Sequence, residues 1–418
     1  MKKIMVFLIF FMSIHSAHAI TLDEAIKTAV ENSEAANIAV ETSKTIKAQA
    51  VKSAAPMKPQ VSLSAGYTHL ETTASAETSV FTSPSDDYTV SASASQLLFQ
   101  GRKIWYLSDL EKTLKQYSEI TKSAGFRDIK KNVKTAFDNV LLQRALFDIL
   151  EDRVKQRKEE LKDAQDLKEV GMVTNLDVRQ AQLNLNFAQE EMASGGASCK
   201  ESRITFNNVI GKYADGDLED PEGQLLRPAA LDEKLRLLQN SLSSASVLDI
   251  RILEKELQSA DLNYKLAHSE RYPSVNFVTS ADSSGENLGD VEESLTVGLQ
   301  VNWSVFSGGL IKANEDEAKA KMRLSKEKLN KLKKDLSGVV SNLVVNADAM
   351  KERIRLQEEA VNLSHDNYKD AREHYRAGAI TLTGLGDFNL DYAEARFKLA
   401  NLIFLERAIL IAAEALSE

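Results

Sequence analysis

The chain has 418 residues, 43% of them hydrophobic and 27% charged, with one cysteine and a formal net charge of −9. The apolar share suffices for a core or for long amphipathic surfaces, and the acidic balance argues against a nucleic-acid partner, which calls for a basic face that neutralises phosphates. Cys199 stands alone and far from the N-terminus, so neither an internal disulfide framework nor a lipid-bearing N-terminal cysteine is expected.

Lys2 and Lys3, the apolar run from Ile4 to Met12 and the small-residue site Ala17-His18-Ala19 predict a secretory signal peptide over residues 1–19. Its removal would take the formal charge from −9 to −11, because it carries Lys2 and Lys3 and no acid. No later stretch offers the ~20 uncharged apolar residues of a membrane helix. The best candidate, "LANLIFLERAILIAA", is broken by Glu406 and Arg407.

From residue 20 the chain reads as one unit written twice: helix, strand, loop, strand, very long helix, tight turn, helix. A fixed offset of 207 pairs Phe99 with Phe306, Gly101 with Gly308, Gly171 with Gly378, Thr174 with Thr381 and Ala188 with Ala395. Upstream the offset becomes 214, pairing Pro59 with Pro273, so the first copy carries seven extra residues between its strands, a longer hairpin loop. The expected division is a first repeat over 20–212, with a β-hairpin near 61–99 and a helical turn at 171–174. An acidic connection follows over 213–245, then a second repeat over 246–418, with a β-hairpin near 274–306 and a turn at 378–381.

Strands are expected at 61–70, 87–99, 274–281 and 293–306, about the length that crosses a bilayer at a tilt. Val61, Leu63, Ala65 and Tyr67 alternate with Ser62, Ser64, Gly66 and Thr68; Leu295, Val297, Leu299, Val301, Trp303 and Val305 alternate with polar residues and glycine. One face is greasy and the other rich in hydroxyls and almost uncharged, which suits lipid on one side and water on the other. Four strands cannot close a barrel, so closure needs totals of 8, 12 or 16 strands from two, three or four chains.

All six prolines lie at element ends or in connections, and none falls within 85–220 or 274–418. The stretch from Gly101 to Val170 is long enough for a helix of about 105 Å at 1.5 Å per residue. In the second copy Leu329, Leu332, Leu336, Val339, Leu343, Ala347, Met350 and Ile354 form a narrow apolar stripe, as in a coiled coil. The six histidines do not cluster, no nucleophile motif is present, and "GLGD" at 384–387 has no strand before it, so neither an enzyme, a metal site nor a cofactor is expected.

The duplicated junctions "LLFQGRKI" and "SVFSGGLI" and the duplicated turns "EVGMVTNLDVRQAQLNL" and "RAGAITLTGLGDFNLDY" resemble the TolC-like outer membrane factor family over nearly the whole chain. The resemblance implies an α+β membrane protein of duplicated helical hairpins with four transmembrane strands per chain. As a homotrimer it would form a 12-stranded β-barrel continuous with a periplasmic α-helical tunnel. The implied role is a passive exit duct across the outer-membrane lipid for an efflux pump or type I secretion system, served by a periplasmic adaptor and an inner-membrane transporter of RND or ABC type. A surface-anchored helical stalk or adhesin is the alternative. The resemblance makes Asp177 and Tyr375 gate residues and Asp387 part of a constriction ring, while Gly384 and Ile380 stand where the family has an aspartate and an arginine. Phe99, Gly101, Phe306, Gly308 and Gly309 would form the barrel–tunnel junction. The turns Gly171-Met172-Val173 and Gly378-Ala379-Ile380, expected to expose small apolar side chains, would be the adaptor-docking tips.

Overall fold

The computed structural model describes residues 19–70, 85–213, 218–241, 247–287 and 290–417. The expected signal peptide lies outside the described residues except for Ala19. The chain begins with β1 (Ala19–Ile20), α1 (Leu22–Asn32) and α2 (Glu34–Ala54), then β2 (Gln60–Leu70), β3 (Ser85–Phe99), α3 (Lys103–Glu169) and α4 (Asn175–Val209). After the connecting β4 (Asp220–Pro221) and α5 (Leu231–Ser241) come α6 (Leu248–Ser269), β5 (Ser274–Asn287), β6 (Asp290–Asn302), α7 (Leu310–Arg376) and α8 (Leu382–Ser417). Both α3 and α7 have 67 residues, about 100 Å at 1.5 Å per residue. Their starts, Lys103 and Leu310, are 207 apart, as are those of α4 and α8.

Two compact units cut across this duplication. One takes in the chain up to Ala39, Ser123–Val247 and Asp335–Glu418; the other takes in Val40–Lys122 and Leu248–Lys334.

The second unit carries the sheet, in the order β2-β3-β5-β6 with every neighbour antiparallel. Its register puts the greasy positions of all four strands on one face: Leu63 lies opposite Ala92, Ala92 opposite Ala281, and Ala281 opposite Leu295. Ser62 and Ser93 share the other face, their hydroxyls 2.8 Å apart. The hairpin β5–β6 runs further at its tip than the sequence predicts, and β6 stops at Asn302 rather than at residue 306. Asn302 pairs with Ser274, the residue after Pro273. Upstream of that proline the partner strand has ended, so Trp303 and Val305 have nothing to pair with.

In the first unit a core of Ala25, Ala29, Ile129, Val133, Phe137, Phe206 and Ile210 joins α1, α3 and α4. Phe137 meets Phe206 edge-on at 5.8 Å. Helix α5 packs Leu231, Leu235 and Leu238 against Val340 and Ala347 of α7 and Ala413 of α8. Val340, not the expected Val339, is the buried residue here. A step of four from Leu336 keeps the stripe under α5, where a step of three turns the side chain out. The charges that broke the apolar stretch are paired: Glu406 takes two hydrogen bonds from Arg227, and Arg407 gives two to Asp138, at 2.6 and 2.8 Å. Among the described residues no helix is long and apolar enough to cross a membrane.

Candidate functional site

Both helical turns close in the same way. Gly171 and Gly378 have φ of +76° and +72°, the left-handed conformation that a helix C-terminus assigns to glycine. Around them Met172 N donates to Leu167 O and Gly171 N to Lys168 O, mirrored by Ala379 N to His374 O and Gly378 N to Tyr375 O, all within 3.0 Å. These are Schellman motifs, and they satisfy carbonyls the helices would otherwise leave open. The two turns also touch: a Cβ on Gly378 would stand 2.7 Å from the Met172 methyl group.

The tips differ from the expectation in what they show. Val173 and Ile380 are half-buried, packed on the cluster of Ala164, Leu167, Ala181, Tyr368, Ala371, Tyr375, Leu382 and Leu385. The residues that do project are Gly171, Met172, Gly378 and Ala379, together with Val170 and Leu176, 70% and 67% exposed. Val173 and Ile380 thus find apolar neighbours within the chain, and the Met172 methyl lies beside Gly378 of the other turn.

Thr174 caps α4. Its hydroxyl accepts from the backbone of Leu176 and Asp177, and the Asp177 carboxylate accepts from Thr174 N and Thr174 Oγ1, both at 2.8 Å. These bonds hold the Asp177 carboxyl below its ordinary pKa, the Thr174 backbone first and its hydroxyl second. No hydrogen bond joins Asp177 to Tyr375 within the described residues of the chain: both bonds from Thr174 go to Asp177 Oδ2. Tyr375 is only 2% exposed, and its hydroxyl has no hydrogen-bond partner among the described residues. Burial, followed by the charges of Asp177, Asp163 and Glu160, pushes its pKa up to about 12. Asp387 lies exposed on α8.

Sequence reasoning missed a buried polar network one to three turns from the tips. Glu160, 1% exposed, accepts from Arg157 at 2.7 Å and from Tyr368 and Asn389 at 3.1 Å. One turn on, Asp163 accepts from Arg372 and Arg376 at 2.9 Å, and Arg372 also reaches Glu159. Arg157 Nη2 donates to the Gly386 carbonyl at 3.4 Å. The network ties α3 to α7 and α8. Burial raises the Glu160 pKa, against the opposing pull of Arg157. The legible signal was polar residues on the stripes themselves: Val154, Arg157, Leu161 and Ala164 step by threes and fours along α3, as do Leu382, Leu385, Asn389 and Ala393 along α8.

At the far ends of the long helices, Gly101, Gly308 and Gly309 all have positive φ, at +50°, +60° and +90°. Gly101 is doubly required, since a Cβ there would fall 2.3 Å from the Tyr272 ring. Phe99 pairs with Val275 beyond a bulge, and Phe306 is almost fully exposed.

The chain matches the outer membrane efflux protein family over residues 25–212 and 237–418. It belongs to that family. Membership places it at the cell outer membrane, with its helical part in the periplasm, and gives no support to a surface stalk. Among curated relatives it is 23% identical over 287 residues to the probable efflux pump outer membrane protein TtgC of Pseudomonas putida, a match covering 67% of this chain and 56% of that one. It is also 23% identical over 265 residues to the solvent efflux pump outer membrane protein SrpC of P. putida, covering 62% and 55%. The chain thus spans just over half the length of these relatives. Among solved structures it resembles the outer membrane protein VceC of Vibrio cholerae, with a TM-score of 0.81 at 16% identity over 95% of this chain and 96% of that one. It also resembles the CmeC outer membrane channel of Campylobacter jejuni, with a TM-score of 0.81 at 14% identity over 95% and 85%. The fold is that of these TolC-like outer-membrane channels, mostly helical with a four-stranded sheet.

Proposed function

We propose that the chain is a passive outer-membrane exit duct of a tripartite efflux pump or type I secretion system. Three copies close one twelve-stranded barrel, and their paired helices line a periplasmic tunnel. The observation that carries this is the open sheet. Its greasy face is continuous across four strands, yet β2 and β6 have no partner on their outer edges among the described residues. An edge in hydrocarbon leaves backbone groups unpaired at several kcal/mol each. Because β2 and β6 run in opposite directions, β6 of one copy meets β2 of the next in antiparallel sense at every seam, which closes a ring.

A periplasmic adaptor docks on the exposed tip residues Gly171, Met172, Gly378 and Ala379, joined by Val170 and Leu176, and an RND- or ABC-type transporter supplies the energy. Asp177 and Tyr375 hold the tip closed, and copies of Asp387 form a cation-attracting ring beyond it. The buried Tyr375 hydroxyl without a partner supports this: such a donor costs free energy until something satisfies it, and Asp177 is near enough to perturb it. Planar-bilayer recording of the purified protein tests the reading. Wild type gives small, cation-selective channels, and Tyr375→Phe with Asp177→Ala raises conductance severalfold. Absence of conductance in both proteins contradicts the duct, and equal conductance contradicts the gate.

A further inference from the structure

The ends of the four strands that adjoin the long helices differ chemically from the ends at the hairpin tips. Beside the helices lie Lys58 before β2, Arg102 and Lys103 after β3, Arg271 before β5 and Lys312 after β6. The described residues of the opposite ends carry Asp86, Asp87, Glu286, Glu292 and Glu293 and no lysine or arginine. Of the acids on the helix side, Glu315 binds His268 and Arg271 and Glu270 binds Asn314, while Asp316 lies exposed one turn from Lys312. Arg102 and Lys312 make no ion pair among the described residues.

Both tryptophans of the chain stand at this rim. Trp105 is 70% exposed one turn beyond Arg102, and Trp303 fixes its indole by donating to the Arg271 carbonyl at 3.2 Å while its ring remains exposed. Tryptophan favours the level of lipid headgroups, where its ring is half in hydrocarbon and its N–H is wet.

Arg102 is the decisive residue. At φ +69° it is the only described non-glycine residue in the left-handed region, and its counterpart 207 residues on is Gly309, at φ +90°. The backbone there suits glycine, so an exposed, unpaired arginine is held against its own conformational preference. We propose that this rim is a binding belt for anionic phospholipid headgroups of the adjoining membrane leaflet. Arg102 and Lys312 contact the phosphates, and Trp105, Trp303 and Phe306 anchor at the same depth. A basic patch at a membrane surface attracts anionic lipid in this way.

The proposal rests on the membrane-spanning reading, and the test separates the two. The purified protein is reconstituted into vesicles of phosphatidylcholine with one fifth phosphatidylglycerol and re-extracted in mild detergent, and the retained lipid is quantified. Wild type retains phosphatidylglycerol well above its share in the vesicle. Arg102→Gly, which the Gly309 conformation shows the backbone accepts, lowers that enrichment about fivefold, and Lys312→Gln lowers it similarly. Raising the salt to about 1 M removes it. Unchanged enrichment in both variants overturns the belt, as does equal competition by free glycerol 3-phosphate, which would indicate a small-anion site. Failure of the wild type to insert in any vesicle strikes the duct reading instead.

Discussion

Thr174 and Thr381 begin equivalent helices, but only the first has an acid three residues on. Thr381 accepts from Gly384 N at 3.2 Å, and glycine returns nothing. Gly384 has ordinary φ, and a Cβ there meets only Thr381 Oγ1, at 3.6 Å. Gly384→Asp therefore completes the capping box and removes a helical glycine, adding about 0.5–1 kcal/mol per chain. Thr174→Ala removes about 1 kcal/mol. Thermal unfolding checks both, and the same sign for the two changes would contradict the capping account. The Asp177 pKa is lowered on folding, so its contribution is present above its ordinary value of 3.8 and is lost as pH falls through the folded value. Glu160 works the other way. Burial raises its pKa, so its stabilising effect is full below the ordinary 4.5 and is lost as pH rises through the folded value. Glu160→Gln should remove that slope from a plot of Tm against pH, and an unchanged slope would assign it to another group. Glu160→Ala should cost about 1–3 kcal/mol for each buried donor left unsatisfied, because Arg157, Tyr368 and Asn389 lose their shared acceptor. The cap is local, its partners Thr174 and Asp177 three residues apart, and a pattern of that kind can be read from sequence. The network cannot be, because Tyr368 lies 208 residues from Glu160.

The strands were legible as alternation and the long helices as stripes, since each pattern is periodic and local. Their ends were less so. The stop at Asn302 depends on where β5 begins, and the shift from Val339 to Val340 depends on α5 lying across the stripe; neither is written in the element itself. Near the middle of β6, Val297 lies on the greasy face opposite Thr279, and Thr296 lies on the polar face opposite Ser280. Val297→Asp should lower barrel stability by placing a charge in lipid, at less than the ~2–4 kcal/mol that a lysine or arginine costs at the midplane. Thr296→Asp should leave assembly intact. The fraction of heat-resistant oligomer on a gel reads this out, and equal damage would put the register one residue out.

The duplication was plain from the sequence, whereas the two compact units were not, because each gathers segments from both copies and from α3 and α7 in parts. Folding follows contacts rather than ancestry of the repeat. The sheet is likewise complete in sequence terms and incomplete in physical terms: four strands satisfy the alternation but leave two edges, which hydrocarbon does not tolerate. The central claim is that copies of this chain satisfy each other's edges. Native mass spectrometry of the detergent-extracted protein measures this directly. The account predicts a single species of three chains that persists until the barrel is denatured, and a stable monomer, dimer or tetramer would contradict it.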